Sequence, residues 1–171
     1  RVGIRSPSLY NHFRNKYALY QAVLERLLAE FRRPLQELEQ TEKLTQDRVL
    51  QWLETIVRQH HNNPNLARLL QHAALSGGPH TNELIERLFR PMFQPAEPVL
   101  DGAEGDWGLL YQRGLQPWAV MAFNNLVMSY VTMAPMYGDL LGQDPFSEEA
   151  LEKQLSLIRI LLKAAFSYQG E

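Results

Sequence analysis

Apolar side chains recur along this chain at spacings of three and four, the period of an amphipathic helix. Leu19, Ala22 or Val23, Leu27 and Phe31 predict a helix from Lys16 to about Arg33, which Pro34 ends or kinks. A polar, charged stretch from Gln36 to Gln46 follows. Val49, Leu50, Leu53, Ile56 and Val57 then form the inward face of a helix from Asp47 to His61, broken by Asn62-Asn63-Pro64. Asn63 is placed to cap the next helix, with Pro64 at its first position. Leu66, Leu69, Leu70, Ala73 and Ala74 carry the apolar face of that helix to Ser76, where Gly77-Gly78-Pro79 stops it. Thr81 caps a further helix through Leu84, Ile85, Leu88 and Phe89. After it, Pro91, Pro95 and Pro98 fall at a spacing that an unbroken helix does not tolerate.

Residues 101–116, with Asp101, Gly102, Gly105, Asp106, Gly108 and Gly114, are turn-rich, and only short helical or irregular structure is expected there. From Gln116 to about Tyr137 the chain is apolar on most sides, which predicts burial on most sides. Ser147 caps a last helix with Glu148 and Glu149 in its first turn, where negative charge is favoured. Along it Leu151, Leu155, Ile158, Leu162 and Phe166 recur at four, three, four and four. The pattern predicts an all-α chain, and 171 residues at 45% hydrophobic content suffice for a sizeable core.

The chemistry concentrates near the first residues. Gly3 permits the left-handed backbone of a tight corner between helices, and Ile4 supplies an apolar plug. Ser6 is a favoured N-cap and Pro7 a favoured first helical residue, so a short helix starts at Pro7. Leu9 and Phe13 lie four apart and pack inward, leaving Ser8, Tyr10, Asn11 and His12 on the outer surface. Asn15 caps the helix that follows, whose first residue, Lys16, sets an ammonium group beside a helix N-terminus, an end that attracts phosphate. Read without any family in mind, the same residues also suit an ordinary amphipathic turn of a helical protein.

Residues 2–19 resemble the TetR family of transcriptional regulators, whose recognition segment runs roughly Gly-Val-x-x-x-(Thr/Ser)-Leu-Tyr-x-His-Phe-x-x-Lys-x-x-Leu. Gly3, Ile4, Ser8, Leu9, Tyr10, His12, Phe13, Lys16 and Leu19 fall in register with it. Ile4 replaces the commoner valine, and Tyr17 stands where an acidic residue is frequent. The resemblance implies phosphate contacts for Tyr10, His12 and Lys16 and places Ser8 and Asn11 near base edges. With Arg5 and Ser6 these make the candidate DNA-binding set. It further implies a helix-turn-helix remnant over 1–34, including a connecting helix, and a helical regulatory and dimerisation domain over 35–171. The family's first helix, and nearly all of the helix that crosses the recognition helix, are expected to precede Arg1. The residues as they stand are therefore expected to bind DNA weakly or not at all.

Charge supports one end as the contact. Of the 17 basic residues, Arg1, Arg5, Arg14 and Lys16 lie within residues 1–24, which hold no acidic residue; the remaining 13 face 19 acidic ones, a balance of −6. A solvated basic turn is the plainer account of the same charges. The chain has no cysteine, which excludes disulfides, thiolate metal sites and thiol nucleophiles. No signal peptide is visible and no uncharged apolar run is long enough to span a bilayer, so a cytoplasmic location and no membrane partner are expected.

Met92, Phe93, Trp107, Tyr111, Trp118, Met121, Phe123 and Met128 are the candidate lining of a small-molecule pocket, since methionine and aromatic groups accept apolar ligands; they also fill ordinary cores. Two long apolar helices near the end exceed what one chain readily covers. Leu126, Tyr130, Met133, Leu151, Leu155, Ile158, Leu162 and Phe166 are therefore candidate dimer contacts, with an intramolecular core as the alternative. His60, His61, His72 and His80 show no metal-ligand spacing, and no nucleophile motif, phosphate loop or carboxylate pair stands out, so neither metal, cofactor nor catalysis is expected. The sequence thus points to a homodimeric repressor, released from a palindromic double-stranded operator by a small-molecule effector. The alternative is a helical small-molecule-binding protein without DNA affinity.

Overall fold

Helices α1 (Lys16–Glu39), α2 (Gln46–Asn62), α3 (Pro64–Ser76), α4 (Gly108–Tyr111), α5 (Gln116–Leu141) and α6 (Glu148–Phe166), with one π-helical turn at Ile85–Phe89, make up the regular structure. The computed structural model describes residues 11–39, 45–77, 81–82, 85–90, 107–111 and 115–168, and among them no strand occurs. The chain is all-helical over this range, as its periodicity predicts.

The helix expected at Asp47–His61 is the centre of the packing. Thr45 caps it, its Oγ1 accepting from the Arg48 N–H at 3.3 Å, and Asp47 sits in the first turn where its charge is favoured. Val49, Leu50, Leu53, Ile56, Val57, His60 and His61 are all buried, a stripe wide enough to receive α1, α3, α5 and α6. Asn63 joins α2 to α3 through its backbone rather than its side chain. Its N–H donates to Gln59 O at 2.9 Å, closing α2, and its carbonyl accepts from Leu66 N at 3.0 Å, opening α3.

Three apolar clusters follow. Val49, Leu50, Leu53 and Ile56 gather with Trp107 and Phe166, whose rings meet edge to face at 5.7 Å. Val57 packs with Val127 of α5 and with Leu151, Leu155 and Ile158 of α6. Leu66, Ala67, Leu70 and Ala73 of α3 pack with Met128 and Val131 of α5, and Tyr20 of α1 and Phe146 rest against them. Ser147 caps α6 as expected, accepting from Ala150 N at 3.2 Å. The turn before it is tied down by Tyr130, whose hydroxyl donates to Pro145 O at 2.7 Å.

Four expectations are revised. Pro34 does not end α1, which runs on to Glu39, so residues 36–39 of the polar stretch are helical. Leu35, Gln36, Glu37 and Leu38 are strong helix formers, and one missing N–H does not outweigh them. The helix expected after Thr81 contains the π-helical turn, which packs against α1, and the Thr81 hydroxyl donates back to Ala73 O at 2.8 Å. Helix α5 is buried along a single stripe, Val127, Met128, Val131 and Ala134, while Trp118, Met121, Leu126, Met136, Leu140 and Leu141 stay exposed.

Helices α2 and α6 are also fastened by charge. Arg159 forks onto Glu54 through Nε–Oε1 at 2.5 Å and Nη2–Oε2 at 2.9 Å, and Arg58 reaches Glu152 at 2.6 Å and Glu148 at 3.6 Å. The Arg159 guanidinium holds the Glu54 carboxyl below its ordinary range, against a smaller opposing effect of burial. Both groups remain partly solvated, so a double-mutant cycle of Glu54→Ala and Arg159→Ala should return a coupling of about 1 kcal/mol at neutral pH. That coupling should vanish in acid, as Glu54 takes up its proton.

Gly108 opens α4 at φ +44°, where an added Cβ would fall inside the carbonyl oxygens of Ala165 and Phe166. Only glycine lets Trp107 and α4 approach the end of α6 this closely. Gly108→Ala should lower stability by ~2 kcal/mol or more, and the melting temperature followed by circular dichroism by about 4–8 °C. Gly77→Ala is the control. At φ +65° and ψ −170° its backbone is one that glycine alone adopts readily, but nothing lies within 4 Å of the added Cβ, so it should cost the strain of about 1–3 kcal/mol with no steric clash added.

Candidate nucleic-acid interface

The described part of the expected DNA-contacting set begins at Asn11. Asn15 caps α1: its Oδ1 accepts from Ala18 N at 2.8 Å, and its carbonyl accepts from Leu19 N at 3.2 Å. Lys16 is therefore the first helical residue, as the spacing predicts, and it is exposed beside Arg14 with no acidic residue in the first turn. Asn11 and His12 lie exposed in the turn ahead of it, and Phe13 is half-buried. The N-terminus of α1, with the cations Arg14 and Lys16 beside it, is a favourable place for an anion such as phosphate. Arg5, Ser6, Ser8 and Tyr10 lie outside the described residues.

Behind this end, α1 is anchored to the body. Tyr17 is exposed and accepts from Gln21 Nε2 at 3.1 Å. One turn further in line, Tyr20 packs on the α3–α5 cluster, and burial raises the pKa of its hydroxyl. The family-like segment thus leads into a helix whose first turns touch both solvent and core.

Of the candidate ligand residues that are described, Trp107 and Phe123 share one cluster and the others lie apart. Trp107, 3% exposed, lies in the cluster with Ile56 and Phe166, Met128 in the α3–α5 cluster, and Phe123 is half-buried between the first two clusters. Trp118, 65% exposed, and Met121, 43% exposed, face solvent in the first turns of α5. Met92, Phe93 and the side chain of Tyr111 lie outside the described residues.

The candidate dimer residues divide by burial. Leu151, Leu155, Ile158 and Phe166 are consumed by the chain's own core, with Leu155 fully covered, and Leu162 packs against the same clusters. These residues match the alternative of an intramolecular core, because their stripe is the one that α2 covers. Tyr130 and Met133 are half-buried, and Leu126 is exposed. The outer stripe of α6 is instead Leu157, Ile160 and Leu161, all exposed.

Sequence reasoning did not foresee that both histidines at the end of α2 are buried. His60 Nδ1 lies 2.9 Å from Ile56 O; since a carbonyl only accepts, that nitrogen carries the proton. The His61 ring meets Phe146 edge to face at 5.6 Å. Adjacent helical residues point roughly 100° apart, and only a helix packed on several sides buries both. Elsewhere, Ser76 sits 3.2 Å from His72 Nδ1, but its hydroxyl donates to His72 O at 2.6 Å, so that proton is not directed to the imidazole. Among the described residues no three histidine, aspartate or glutamate side chains gather as metal ligands, and no helix is long and apolar enough to cross a membrane.

Burial pushes the His60 pKa below its ordinary value, and the bond to the Ile56 carbonyl offsets only part of this. The imidazole stays neutral in the folded chain while the unfolded chain takes up a proton. Its contribution to stability is whole above about pH 6.5 and is lost as the pH falls through the folded pKa. Denaturant titrations at about pH 7.5 and about pH 5.5 should show lower stability in acid, by at most about 1.4 kcal/mol per pH unit for this proton. His60→Phe should shrink that difference.

Comparison of the chain with known protein-family models, with curated proteins and with solved structures returned no match.

Proposed function

We propose that the protein is a DNA-binding transcriptional regulator of TetR type, acting by binding rather than by catalysis. In this reading residues 3–19 form the reading segment and the helical body carries the control. The observation that carries it is the run Gly3-Ile4, Ser8-Leu9-Tyr10, His12-Phe13, Lys16 and Leu19, nine positions in register with the family pattern. Asn15, as the cap that starts a cationic helix at Lys16, supports it, because the phosphate-facing end then has the polarity the chemistry needs. The excess of positive charge in residues 1–24 over an acidic remainder points the same way. The regulator is a repressor that a small molecule bound in the body releases from its operator.

The protein is further proposed to act as a homodimer, whose two-fold axis matches a palindromic duplex with half-sites ~34–36 Å apart or a multiple of it. Leu157, Ile160, which is 65% exposed, and Leu161 on α6 are the contacts assigned to it, with Leu126 on α5, since apolar stripes of this kind are where a second chain gains most by covering them.

The DNA reading is tested on the natural full-length protein, with a duplex selected from a random pool. Lys16→Ala and Tyr10→Phe should each weaken binding by roughly 3–30-fold, and Lys16→Ala alone should reduce the steepness of its salt dependence by about one counterion. Undiminished affinity for every duplex in both variants would end this reading, and retained small-molecule binding without any DNA affinity would favour a helical carrier.

The dimer has its own test by sedimentation velocity. Ile160→Glu should convert dimer to monomer with little change in helicity, because Ile160 supports none of the three clusters. Leu155→Ala should instead destabilise the fold itself by about 2–5 kcal/mol. A parent chain that sediments as a monomer at every concentration rules the interface out.

A further inference from the structure

We draw no further inference here: the strongest candidate, the indole N–H groups of Trp52 and Trp107, buried without an acceptor in the core between α2, α4 and α6, carries nothing, because side chains seal both nitrogens and nothing among the described residues shows a space where a ligand's acceptor would meet them.

Discussion

The breadth of the apolar stripe on α2 is the constraint on which the rest of the structure depends. Seven buried positions between Val49 and His61 are more than one neighbouring helix can cover, so α1, α3, α5 and α6 all lean on the same rod. The first cluster uses Val49 to Ile56, the second uses Val57, and His61 reaches Phe146 at the edge of the third. A rotation of α2 by one residue would misplace all three at once. The width has a cost, because the stripe runs into His60 and His61 and buries two imidazoles. Burial is tolerable for His60 because the Ile56 carbonyl accepts from one nitrogen and the ring stays neutral.

The candidate interface depends on this arrangement at one remove. Helix α1 starts in solvent at Lys16 and meets the α3–α5 cluster four residues later through Tyr20. That cluster is itself held by Gln71 of α3, whose Nε2 donates to Thr132 Oγ1 of α5 at 3.4 Å, a long bond, and mainly by the packing of Leu66, Leu70, Met128 and Val131. Any displacement of α3 against α5 therefore changes the surface on which Tyr20 rests, close to the charged end of α1. For a regulator of the proposed kind, this is where the body can bear on the reading segment without a long chain of contacts.

Legibility in the sequence followed how local each cause is. Helix α2 was readable to within one residue at either end, since its stripe and the Asn62-Asn63-Pro64 break are consecutive features of the chain. The Ser147 cap and the inward stripe of α6 were readable for the same reason. Proline misled at one position: Pro34, followed by good helix formers, sits inside a helix that continues, whereas α5 runs past Pro135 as its apolar pattern predicts. The site was less legible than the fold. Asn15 and Lys16 are where the spacing put them, but the ligand-lining group rested on side-chain type alone, and type does not say which way a helix turns. Trp118 and Met121 face outward although their side-chain types suit a pocket.

Helix α6 shows why side-chain spacing alone cannot separate a core from an interface. Leu151, Leu155, Ile158 and Leu162 form one stripe, and Leu157, Ile160 and Leu161 form another, and both obey three- and four-residue spacing. Burial separates them. The first stripe is closed by Val57 and Val127, while the second is left uncovered; the ion pairs of Arg58 and Arg159 lie along the seam between α2 and α6, away from the second stripe. A second copy of the chain could cover the uncovered stripe without disturbing any of the three clusters, because none of them draws on Leu157, Ile160 or Leu161. For a dimer of the proposed kind, association and folding would be separable, and a substitution on the outer stripe would act on association alone.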